Sequence, residues 1–166
     1  MKRLWLALAL LAGSALAGPA LAEDGEAFAR WGENSGSLPP EYAWDYSVSF
    51  FPDRRGEVEY CKGYANEAPG CAVSRFRLSK KAFAALQEAL APLEADLAAK
   101  PAVSVADFPV GGGSVGGMLR MNGREVKLLQ FPNEADAPRV GAVLGLLREN
   151  TPASAIRSAK SKARQP

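Results

Sequence analysis

Histidine is absent from this 166-residue sequence. Histidine-based catalytic triads, imidazole proton shuttles and nearly every transition-metal site are therefore excluded. Cysteine is scarce, with Cys61 and Cys71 the only two, too few for a thiolate metal cage. Charge of one sign is also missing. Twenty Lys and Arg residues stand against 18 Asp and Glu, which leaves little surplus for the phosphate neutralisation that nucleic-acid binding rests on. No regularly spaced Asp/Asn loop closes on a glutamate, so a calcium loop of that kind is out. Beyond the N-terminus no apolar run approaches the ~20 residues of a membrane-spanning helix.

What is present is ordinary for a globular chain. Hydrophobic residues make up 48% and charged residues 23%, values that argue against wholesale disorder. Lys2 and Arg3 precede an apolar run from Leu4 to Leu11, then small residues and Ala20-Leu21-Ala22. This order predicts a secretory signal over residues 1–22, cleaved after Ala22, with Ala15-Leu16-Ala17 offering a second cleavage site. Removing Lys2 and Arg3 would bring basic and acidic residues to parity. Export to the periplasm or outside the cell implies an oxidising compartment, where Cys61 and Cys71 would pair. Ten residues apart, they do not match the two-residue spacing of common redox pairs. A structural bridge closing so short a loop contributes roughly 3 kcal/mol.

Four regions are expected: the signal at 1–22, an irregular arm at 23–40, a single α+β domain at 41–150 and a basic flexible tail at 151–166. The tail carries Arg157, Lys160, Lys162 and Arg164 without an acidic partner. In the arm, Phe28 and Trp31 are the only aromatic residues before Pro39-Pro40. Tyr42, Trp44, Tyr46, Val48 and Phe50 then alternate with smaller or polar residues, the clearest strand signal in the chain. A turn at Pro52–Gly56 leads to a second strand through Val58 and Tyr60, with Glu57 and Glu59 on its other face. Cys71 opens a third strand, in which Arg75 and Arg77 could neutralise those glutamates. Ser79 is a helix cap for a stripe of Phe83, Leu86, Leu90, Leu93 and Leu97, with a break or kink expected at Pro92. Val103 and Val105 suggest a short strand.

Asn122-Gly123 between two apolar runs predicts a tight hairpin, pairing Met121 with Arg124, Arg120 with Glu125 and Leu119 with Val126. A last helix begins near Asp136-Ala137-Pro138 and carries Val140, Val143, Leu144 and Leu147. The resulting expectation is an antiparallel sheet of about five strands with two helices on one face, in the order βββ-α-ββ-α.

The tract Gly111–Gly117 satisfies two familiar patterns. G-x-G-x-x-G needs a helix N-terminus after it to receive a pyrophosphate, and here a hairpin strand follows. G-x-S-x-G around Ser114 needs a base for the serine proton, and no histidine exists. Glu57 and Glu59 share a strand face, as a hydrolytic pair requires, yet charges alternating with apolar residues are what a half-solvated sheet shows anyway. The aromatic set Trp44, Tyr46, Phe50, Tyr60 and Phe76 reads as core rather than a stacking platform.

No catalytic residue, metal or cofactor is assigned. The expectation is an exported, non-catalytic protein that recognises a protein partner, such as an inhibitor of, or accessory to, another exported enzyme. Trp31, Tyr64, Asn66, Glu67, Gly112, Gly113 and Ser114 are the expected contacts, because loops held on a rigid, stapled scaffold lose less entropy on binding. A small-ligand carrier and a carboxylate-dependent hydrolase are the alternatives.

Overall fold

The computed structural model describes residues 25–64, 70–107 and 111–164. The expected signal peptide, Asn66 and Glu67 lie outside the described residues. Nine elements follow in order: β1 (Ala29–Asn34), β2 (Trp44–Phe50), β3 (Arg55–Lys62), β4 (Ala72–Arg77), α1 (Lys80–Ala99), β5 (Ser114–Met121), β6 (Arg124–Leu128), α2 (Ala137–Glu149) and α3 (Ala153–Lys162). The strands form one antiparallel sheet in the order β4-β3-β2-β1-β5-β6. The α+β class agrees with the sequence. The sheet gains one strand over the expected five, and the helices number three among the described residues.

The added strand is the largest correction. Residues 29–34, expected within an irregular arm, form β1 at the centre of the sheet, between β2 and β5. Its sequence, Ala-Arg-Trp-Gly-Glu-Asn, has one large apolar residue and no alternation. Its stability comes from ladders on both sides rather than from its own pattern. Gly117 of β5 is required by that neighbour, because a Cβ there would fall on the Arg30 carbonyl of β1.

The tail is the second correction. Residues 153–162, expected to be flexible, form α3, which packs on β3 and β4 and buries Ala155 and Ala159. Alanine every fourth residue gives this helix a narrow small face that sits close to the sheet.

Several other local expectations hold, and three do not. The Ala82 N–H donates to the Ser79 hydroxyl at 3.1 Å, capping α1. Asn122 and Gly123 both have positive φ, 52° and 73°, as a two-residue hairpin turn of this hand demands. The hairpin register is Met121 with Arg124, Arg120 with Glu125 and Leu119 with Val126. Arg75 reaches Glu57 at 2.9 Å. Arg77, however, stands across from Arg55, and Val73 takes the place opposite Glu59, because the β3–β4 register sets which side chains meet. No break occurs at Pro92: α1 runs through it, and the proline is exposed, where water can take the carbonyl left without its donor. Val103–Val105 makes only an isolated bridge, Ser104 with Pro132.

All three helices cover one face of the sheet. Trp31, Val48, Phe50 and Val58 from the centre meet Leu86, Leu90 and Leu97 of α1, and Val140, Val143 and Leu147 of α2, in one core. The opposite face carries Arg30, Asp45, Ser47, Glu57, Glu59 and Lys127 and has no layer over it among the described residues. No described helix is long and apolar enough to cross a membrane.

Candidate functional site

The Sγ atoms of Cys61 and Cys71 are bonded at 2.08 Å, joining the end of β3 to the start of β4. Gly63 and Tyr64 leave this staple and meet the β1–β2 connection: the Gly63 N–H donates to the Ala43 carbonyl at 3.0 Å, and the Tyr64 hydroxyl donates to the Leu38 carbonyl. That connection is itself folded by short-range polar chemistry. Asn34 Oδ1 accepts from the Gly36 N–H at 2.9 Å, and Ser35 Oγ accepts from the Trp44 N–H at 3.0 Å. On its other side it meets the glycine tract. Asn34 Nδ2 donates to Ser114 Oγ at 2.8 Å, and the Gly36 backbone abuts the Gly112 carbonyl so closely that Gly36 has no room for a Cβ.

Three chain segments thus converge at one end of the sheet. Tyr64, Gly112, Gly113 and Ser114 lie at that end. Trp31 is not. It is fully buried beneath the helices, where its ring packs edge-on against Tyr46. The sequence placed it in a loop, and membership of a central strand turned it into core.

Among the described residues, two clefts open at this end. One, of about 280 Å³, lies among Asn34, Trp44, Asp45, Gly63 and Tyr64. The other, of about 250 Å³, runs onto the uncovered face over Gly32 and Gly116, beside Asp45, Ser47 and Gln130. Gly32 and Gly116 are partners across β1 and β5, so its floor is bare backbone. Asn34 and Asp45 border both. Asn34 spends its amide on Ser114 and Gly36. The Asp45 carboxylate accepts no hydrogen bond and forms no ion pair among the described residues, and partial burial raises its pKa above the ordinary carboxylate value. Tyr60 is also shifted upward, first by burial and then by the Asp45 charge.

Behind the clefts, Trp44, Tyr46 and Tyr60 lie nearly parallel with centroids 5.9–6.1 Å apart. Lys160 of α3 stands over the Tyr60 ring and Arg148 of α2 over Trp31. Tyr46 donates to Glu33 at 2.9 Å, and burial, followed by that bond, raises its pKa. Tyr60 is buried, while Trp44 and Tyr46 are half-buried and pack against the core from its edge.

The rejected motifs gain no support from their surroundings. Gly111 and Gly112 have positive φ, 81° and 79°, and lead into β5, not into a helix. Ser114 is buried, with its oxygen engaged by Asn34. Glu59, Cys61 and Cys71 bring ligand-type atoms within 4.8 Å of one another, but sulfurs bonded to each other do not act as thiolate ligands.

A third cleft, of about 470 Å³, lies elsewhere, between the end of α1 and β6. No protein-family model matches the chain, and no curated protein matches its sequence. Neither Asn34 nor Asp45 was singled out by sequence. Asp45 reads there as one more polar residue on a wet strand face, and only the fold reveals that it has no counter-ion among the described residues.

Proposed function

We propose that this is an exported binding protein that recognises a protein partner through the loop end of its sheet. One observation carries the reading. Three segments, one of them stapled by Cys61–Cys71, converge around two adjoining clefts that share a carboxylate without a counter-ion among the described residues. A desolvated, unpaired charge is unfavourable to the free protein and becomes favourable once an opposite charge arrives. The matching feature of the partner is a lysine or arginine side chain seated against Asp45, with Tyr64 and the Gly36–Gly112 contact forming the surrounding rim. The N-terminal pattern of residues 1–22 and the disulfide are both compatible with export, and they support a periplasmic or extracellular site of action.

The test is affinity capture from envelope and culture-fluid fractions of the source cells, with the protein from Glu23 onward as bait. The expected result is a discrete partner retained by the oxidised protein and lost from the Asp45→Asn and Tyr64→Ala variants, both still folded by circular dichroism. Retention that ignores both substitutions would overturn the assignment of this surface.

A further inference from the structure

We infer that β6 is the edge through which two copies of this chain join, pairing antiparallel about Val126 to form one continuous twelve-stranded sheet. The inference concerns a different face from the loop end and does not rest on the partner reading above.

The backbone pattern comes first. The Asn122-Gly123 turn makes Met121 and Arg124 a hydrogen-bonded pair, so hydrogen-bonded pairs recur at Leu119–Val126 and Gly117–Leu128. The N–H and C=O groups of Glu125 and Lys127 consequently point outward, away from β5. β6 is the last strand of the sheet, and an outward row of such groups is a template for another strand.

Charge then selects the occupant and the register. An antiparallel copy centred on Val126 sets Glu125 opposite Lys127 of the second copy, and Lys127 opposite Glu125, on the uncovered face. Those are the two positions with outward backbone groups, so two hydrogen-bonded pairs are also two ion pairs. Sliding the register to centre on Glu125 or on Lys127 would oppose like charges. Arg124, on the helix-facing side, reaches the buried Glu94 of its own α1 at 3.5 Å and is not needed across the axis. Glu125 also meets Arg120 of β5, which extends each pair into an Arg-Glu-Lys row.

The third observation is the cleft of about 470 Å³ along the same edge. Leu97, Ala98, Pro101, Ala102 and Val126 make its apolar lining. The twofold operation brings this cleft to face its own copy, so each α1 end covers the apolar surface exposed by the other. An isologous contact of this kind uses one patch twice and closes without forming a filament.

The experiment is sedimentation equilibrium on the purified protein from low to high micromolar concentration, with amide exchange read at Glu125 and Lys127. A dimer mass is expected, with protection of those two amides rising with concentration. Lys127→Glu opposes like charges across the axis and should weaken association by about tenfold or more. The triple exchange Arg120→Glu, Glu125→Lys and Lys127→Glu reverses the whole row, keeps the cross-strand pair within each copy and should restore it. A monomer throughout the range would overturn the inference. So would a dimer indifferent to Lys127→Glu, a triple exchange no better than the single one, or protection at both amides without concentration dependence. Concentration-independent protection would instead assign the edge to another segment. If a variant loses its native circular dichroism, amide exchange on the parent protein still decides the question.

Discussion

The indole Nε1–H of Trp31 donates to the Thr151 hydroxyl at 3.1 Å, across 120 positions of sequence, and that hydroxyl donates onward to the Leu147 carbonyl at 2.8 Å. Both side chains are buried. This chain of bonds fastens the central strand to the junction between α2 and α3, and it explains how a tryptophan can sit at the middle of the core without an unsatisfied donor. Thr151→Val keeps the shape but removes the acceptor. We expect it to lose about 1–3 kcal/mol in urea unfolding. Trp31→Phe with Thr151→Val should lose less than the two separate changes together, and an unchanged unfolding midpoint for Thr151→Val would refute the role.

Ending the chain after Thr151 removes α3, with Ala155, Ala159 and Ala163 buried against the rest. A solvated tail would be dispensable, but this helix covers β3 and β4. The truncated protein should melt well below the parent, by about 2 kcal/mol or more of apolar burial. Equal melting temperatures would return residues 153–162 to the status of a loose end.

Replacing Cys61 and Cys71 together with serine should lower stability by about 3 kcal/mol, the loop-closure entropy of a short bridge. Equilibrium unfolding of the serine pair against the oxidised parent measures it, and identical midpoints would show the bridge to be thermodynamically idle. Partner capture should weaken in parallel, since Gly63 and Tyr64 extend directly from the staple.

Asp136 is held below the usual carboxylate range, first by the Val103 N–H at 2.9 Å and then by the Arg139 guanidinium. A carboxyl whose folded pKa is depressed contributes stability above its unfolded value of about 3.9, and that contribution is lost as pH falls through the folded pKa. Asp136→Asn should therefore be less stable than the parent at neutral pH, with the gap closing in acid. A gap that stays constant from neutral to acid pH would show that the ionised carboxylate is not what stabilises the α1–α2 corner.

Asp45 works in the opposite sense. Its folded pKa is raised by burial, so the ionised form disfavours folding at neutral pH, and the penalty is relieved as pH falls through that raised value. Asp45→Asn should melt slightly above the parent at pH 7 and match it in strong acid, while losing the partner. A variant less stable at pH 7 would mean that the carboxylate serves the fold, and the case for a waiting counter-ion would fall.

Much of this architecture was legible in local patterns. The alternation up to Phe50 (realised from Trp44 onward, with Tyr42 left in an exposed turn), the Asn122-Gly123 turn with its register, the Ser79 cap and the Cys61–Cys71 pairing each depend on residues close in sequence. β1 and α3 were not legible, for related reasons. Ala29–Asn34 has no period of its own and becomes a strand because β2 and β5 offer it ladders on both sides. Ala153–Lys162 has a small-residue stripe too weak to announce a core contact until β3 and β4 present a face to it. The site divides in the same way. The stapled loop and the glycine tract stand out as sequence, yet their meeting over Asn34 is a product of strand order, as is the burial of Trp31. Whether Asp45 finds a counter-ion, and whether β6 ends the sheet, is decided by which strands become neighbours. That choice belongs to the packing of the whole chain, because the energies that make it are shared among residues far apart in sequence.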